Sequence, residues 1–125
     1  MMKVFDDNMK GPIVAVDFDG TIVTHAFPKI GEPRVDVIQM LKKMKIRGAK
    51  LILWTCRQGH YLDEAVKACE RFGLHFDAIN ENLPEVNEAM GSDSRKIVAD
   101  LYIDDRGYNP DDVHLYDVET LLFHR

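Results

Sequence analysis

The runs Ile13-Val14-Ala15-Val16 and Leu51-Ile52-Leu53-Trp54 are apolar at every position. A strand with one wet face alternates apolar and polar residues, whereas a strand without alternation must be covered on both faces. The chain therefore has to supply helices for both sides of a sheet. Between the apolar runs lie segments of helical period. Residues 34–47 place Val37, Ile38, Leu41 and Met44 on one stripe, with Pro33 suited to the first turn and Gly48 to the stop. Residues 61–72 turn Leu62, Ala65, Val66, Cys69 and Phe72 inward, with Gly73 as the stop. This alternation predicts an α/β fold whose parallel strands are joined by crossover helices.

The expected strands are 13–17, 50–55, 76–79, 101–103 and 113–116. Residues 82–96 read as a loop with one short helical piece. Asn109-Pro110-Asp111-Asp112 reads as a turn, and Asp117 as the cap of a last short helix carrying Val118, Leu121 and Leu122. The chain has 125 residues, 46% of them apolar and 30% charged, which suits a single domain spanning 1–125. No apolar run approaches the ~20 residues of a membrane span, and the segment Met1 to Asp7 does not resemble a secretory signal. Two cysteines, Cys56 and Cys69, without Cys-x-x-Cys spacing argue for a reducing, cytoplasmic setting. A net charge of −5 disfavours a nucleic-acid partner.

The polar residues fall at the strand ends. The first strand ends in Asp17-Phe18-Asp19-Gly20-Thr21, the second in Thr55 and the fourth in Asp104-Asp105. In an open parallel sheet these ends share one edge, where ligands bind. Crowded carboxylates repel unless a cation compensates. Mg²⁺ suits hard oxygen ligands, and there is no Cys/His cluster of the kind zinc prefers. A divalent ion beside a carboxylate also screens the repulsion that a carboxylate meets when it attacks a phosphate dianion. Thr55 can donate to a phosphate oxygen, Lys96 can reach the same oxygens as a point charge, and a second carboxylate can protonate the leaving oxygen and then activate water.

These residues resemble the haloacid dehalogenase superfamily of phosphohydrolases. Asp17-Phe18-Asp19-Gly20-Thr21 is similar to its first motif and Leu51-Ile52-Leu53-Trp54-Thr55 to its second. Lys96 is similar to the third, with Arg95 beside it as the alternative, and Tyr102-Ile103-Asp104-Asp105 to the fourth. The resemblance implies a three-layer α/β/α sandwich with a Rossmann-like parallel sheet. It implies Asp17 as nucleophile, Asp19 as general acid and then base, and Thr55 and Lys96 as phosphoryl holders. Mg²⁺ would be held by Asp17, the Asp19 carbonyl and Asp104, with Asp105 supporting its waters. Neither Ile22 to Glu32 nor Cys56 to Arg95 is long enough for the family's cap domain. The implied site is open, or covered by another subunit of a homo-oligomer, and its substrate a small sugar or nucleotide phosphate.

Around this set, Arg57 reads equally as a substrate contact and as a surface arginine. Cys56 reads as a small packed residue, and His25 and His60 as polar loop residues that could rim the site. Trp54 and Phe18 are expected to pack under the sheet's edge, and Asn80 and Asn82 could contact substrate. Two other functions share some of these residues. A receiver-type signalling module also uses a phosphorylated Asp, paired acids, Thr and Lys, but its acid pair precedes the Lys, whereas Asp104-Asp105 follows Lys96 here. A non-catalytic binding relative would not require the complete residue set.

Overall fold

The computed structural model describes residues 11–91 and 97–104. Its elements alternate as the sequence pattern demands: β1 (Ile13–Val16), α1 (Val35–Ile46), β2 (Lys50–Leu53), α2 (Gly59–Arg71), β3 (Ala78–Ile79), α3 (Pro84–Met90) and β4 (Leu101–Ile103). The four strands form one sheet in the order β3-β2-β1-β4, parallel at every junction.

Strand order and crossover handedness decide the layers. The steps β1 to β2 and β2 to β3 move the same way along the sheet, so right-handed crossovers put α1 and α2 on one face. The connection through α3 returns past β1 to its other side, which puts α3 on the opposite face. The two apolar cores agree. Val14, Val16, Leu51, Leu53, Leu101 and Ile103 pack with the α1 and α2 residues Val37, Leu41, Met44, Ala65, Ala68 and Cys69. Ile13, Ala15, Ile52 and Ala78 pack with Leu83, Val86 and Ile97. Alternate residues of each strand thus feed opposite cores, and the three-layer α/β/α sandwich follows. No separate cap domain is present among the described residues. None of their helices is long and apolar enough to cross a membrane.

The expected α1 stripe of Val37, Ile38, Leu41 and Met44 is buried, and Met40 joins it. Several boundaries differ from those expected. Pro33 is not in the first turn of α1; it pairs with Val23 in an isolated antiparallel bridge, and the helix starts after Arg34. β2 stops at Leu53 rather than 55, because the Thr55 N–H bonds the Asn80 side chain instead of the ladder. β1 likewise ends at Val16 rather than 17. α2 begins at Gly59 rather than 61. β3 starts at Ala78 rather than 76 because Asp77 closes its entrance: its N–H donates to the Leu51 carbonyl at 2.8 Å and its carboxylate accepts from the Leu51 N–H at 2.8 Å. Asp100 does the same for β4 against Ile13, with both bonds at 2.7 Å. The short helical piece expected within 82–96 is α3. The expected turn at 109–112, the strand 113–116 and the helix beginning at Asp117 lie outside the described residues.

Candidate active site

The sheet reverses direction of growth at β1, since the chain leaves β1 through α1 on one face and reaches β4 through α3 on the other. In open α/β sheets such a reversal places the ligand crevice at the carboxyl ends of the strands. Register fills it with acids. Val16 pairs with Leu53 on one side and Ile103 on the other, so the next residues outward are Trp54, Asp17 and Asp104 on three neighbouring strands. The ladder carries into this layer: the Asp17 N–H donates to the Ile103 carbonyl at 3.0 Å, and the Trp54 N–H to the Val16 carbonyl at 2.9 Å. Asp17 Oδ1 accepts from the following amide, that of Phe18, at 2.8 Å, which fixes the carboxylate at the strand tip.

Beyond Asp17 the chain turns tightly. The Phe18 carbonyl accepts from the amides of Thr21, Ile22 and Val23, and the Gly20 amide donates to the Val23 carbonyl at 2.8 Å. Gly20 has φ +82°, where a side chain would be strained, and a Cβ there would lie 2.3 Å from His25 Nε2. His25 therefore rests on the backbone of the acidic turn. Phe18 is fully buried, as expected. Trp54 is not: it is 42% exposed, just past the end of β2.

Asp19 meets Arg57. Nε donates to Asp19 Oδ2 at 2.7 Å and Nη2 to Oδ1 at 2.8 Å, a two-pronged fork. The same guanidinium donates through Nη1 to the carbonyls of Pro28 and Tyr61, both at 3.3 Å, and through Nη2 to the Lys29 carbonyl at 2.8 Å. It lies 5.1 Å from the Phe18 ring centre and 5.0 Å from that of Phe27. Arg57 is only 2% exposed. It is thus neither a substrate contact nor a surface arginine, the two roles its sequence position suggested. The fork with Asp19 pushes the Arg57 pKa above its ordinary value, against the opposing effect of burial.

Thr55 stands half-buried beside this pair. Its Oγ1 accepts from the Arg57 amide at 3.2 Å, and its own amide donates to Asn80 Oδ1 at 2.8 Å. Asn80 adopts φ 54°, a left-handed conformation that asparagine tolerates, and so reaches back to the end of β2. Asn82 is buried and accepts from the Val98 amide at 2.6 Å, which makes it a brace for the approach to β4. His60 stacks on Tyr61 at 3.9 Å between ring centres, and Tyr61 lies 5.4 Å from Phe27; all three are exposed at the rim. Cys56 is exposed rather than packed, being two residues past the end of the strand ladder at Trp54, while Cys69 is buried on the inner face of α2 and its thiol is pushed up to about 12, chiefly by burial. Lys96, Arg95 and Asp105 lie outside the described residues.

The structure thus brings Asp17, Asp19, Thr55 and Asp104 to one sheet edge. No group of three or more His, Cys, Asp or Glu side chains suited to a metal occurs among the described residues. Asp17 and Asp104 supply two adjacent carboxylates, and the Asp19 carbonyl a further oxygen. That all-oxygen set fits Mg²⁺, which binds through one or two carboxylates and retains waters. Arg57 is the residue of this edge that sequence reasoning left undecided. Its signal is its place just past the end of β2, two positions after Thr55.

No protein-family model matches the chain, and no curated protein matches it. Among solved structures it is similar to a conserved protein from Bacteroides thetaiotaomicron, with 42% identity and a TM-score of 0.72 over 89% of this chain and 89% of that one.

Proposed function

We propose that this chain, which belongs to the same protein family as the Bacteroides thetaiotaomicron protein, is a magnesium-dependent phosphomonoester hydrolase of the haloacid dehalogenase type. The observation that carries the proposal is the register of β1 and β4, which sets Asp17 and Asp104 side by side at the point where the sheet reverses. In this reading an Asp17 oxygen attacks phosphorus and the bond to the ester oxygen breaks. The leaving oxygen takes a proton from the Asp19 carboxyl. Asp19, now a carboxylate, then takes a proton from water as the water oxygen attacks phosphorus. The bond to Asp17 breaks, which restores its carboxylate and frees inorganic phosphate. Thr55 would hold a phosphoryl oxygen through its hydroxyl proton, since its oxygen already accepts from the Arg57 amide. Mg²⁺, held by Asp17, Asp104 and the Asp19 carbonyl, would supply neutralisation of phosphoryl charge. Lys96 would add a second positive charge. The absence of a cap among the described residues favours an open site for a small sugar or nucleotide phosphate, or one covered by a second subunit. The free thiols of Cys56 and Cys69 suit a reducing cytoplasm.

The test is hydrolysis of an aryl phosphate by the purified protein with and without Mg²⁺. Expected is metal-dependent turnover that Asp17→Asn abolishes. Undiminished turnover in that variant rejects Asp17 as nucleophile. A single stoichiometric phosphorylation without release would favour the receiver-like alternative.

A further inference from the structure

We infer that Arg57 is the positioning residue for Asp19, and that it couples proton transfer at the site to the rim segment Phe27–Lys29 and the first turn of α2. This inference rests on the phosphohydrolase reading and names a residue which that reading does not use. Its basis is complete use of a buried group. A guanidinium has five N–H donors in a rigid fork. In Arg57 all five are placed: two on Asp19 and one each on the Pro28, Lys29 and Tyr61 carbonyls. The three carbonyls fix the plane of the guanidinium, and the plane fixes the carboxylate. The Phe18 and Phe27 rings close over it, which removes the room for another rotamer.

A residue meant only to neutralise Asp19 would not need this scaffold, and a lysine would serve. Each Asp19 oxygen keeps a lone pair that Arg57 does not use. The Asp19 side chain is 17% exposed against 1% for Arg57, so part of it meets solvent while Arg57 holds both of its oxygens. Without a cap among the described residues to bring in and orient an acid, the orientation is built into the core domain by a residue of the β2–α2 loop.

The experiment compares wild-type protein with Arg57→Lys on two esters, an aryl phosphate whose leaving group departs without protonation and glycerol phosphate, whose alkoxide needs a proton. Because kcat/KM reports the steps through release of the alcohol, a misplaced Asp19 should cost glycerol phosphate about 100-fold in kcat/KM and the aryl ester less than about tenfold. Equal losses on both esters, or none, overturn the inference, since a purely structural arginine would not distinguish leaving groups. In an Asp19→Asn background, Arg57→Lys should cost nothing further in aryl-ester kcat; an undiminished second loss also overturns it. If Arg57→Lys does not fold, NMR of wild-type arginine side chains reads the fork directly. A slowly exchanging Arg57 Nε–H that exchanges quickly in Asp19→Asn supports the inference, and fast exchange in wild type refutes it. A wild-type protein that hydrolyses neither ester refutes the phosphohydrolase reading itself, and the inference with it. An active wild type with uniform losses in Arg57→Lys refutes the inference alone.

Discussion

Replacing Asp19 by Ala removes the partner of the most buried charge described in the fold. Arg57 would lose two charge-assisted hydrogen bonds of 2.7 and 2.8 Å, and its side chain, 1% exposed, has almost no access to water in their place. Breaking a buried pair by deleting one member costs about 3–5 kcal/mol. Asp19 is 17% exposed, so water can enter part of the vacated space, which favours the lower end. Relief of repulsion among the crevice carboxylates works the other way, by up to about 1 kcal/mol where water screens them. A net loss of about 2–3 kcal/mol remains. Unfolding entropy of ~2.1 cal/mol/K per residue, over 125 residues, makes this a fall in Tm of about 8–11 °C. Asp36→Ala provides the contrast. Its pair with Arg34 is 3.7 Å long and Asp36 is 72% exposed, so about 2 °C or less is expected. Thermal and urea unfolding of the two variants against wild type makes the measurement. An Asp19→Ala protein no less stable than Asp36→Ala refutes the view that the fork holds the fold together. One more stable than wild type would mean that Asp19 is kept for chemistry at a cost to stability.

Other expectations are sharp enough to check. Gly20→Ala should lower stability by about 1–3 kcal/mol, because it places a Cβ at positive φ and against His25; urea unfolding unchanged from wild type would show that the acidic turn relaxes freely. In native protein a thiol reagent should modify Cys56 and spare Cys69, with mass spectrometry after digestion as the readout; rapid labelling of Cys69 would contradict its burial. The Cys69 thiol, raised from 9.0 to about 12 in the fold, keeps its proton where the unfolded chain has lost one. Its contribution is therefore complete below about pH 9 and is lost as pH rises through about 12. Stability measured from pH 8 to 11 should fall less steeply in Cys69→Ala than in wild type, and identical slopes would refute the assignment.

The layers could be foreseen because they follow from periodicity. Ile13 to Val16 are apolar without interruption, and all four are buried between two helical layers. The α1 stripe was readable from spacing alone, since tertiary packing merely completes what the helical period begins. The gathering of Asp17, Thr55 and Asp104 at one edge was also legible, because a parallel sheet sends all its carboxyl ends the same way. What escaped was contact between distant positions. Arg57 and Asp19 lie 38 residues apart, and nothing local distinguishes an arginine that folds inward from one that meets solvent. The placement of Trp54 depended on where β2 stops, and that is decided by the Asn80 side chain taking the Thr55 amide, an event encoded on another strand. Pro33 was misjudged for a similar reason: its neighbour is Val23 rather than the helix it precedes.

Asp77 and Asp100 clasp adjoining strands at the margin of the sheet farthest from the crevice. The fastenings that set strand alignment are therefore remote from the groups that would meet a ligand. On the proposed function, substitutions at Trp54, His60 or Tyr61 would alter what the crevice accepts while leaving alignment untouched. The geometry separates the freedom to vary a ligand preference from the obligation to fold, with one exception: at Arg57 the two are joined in a single side chain.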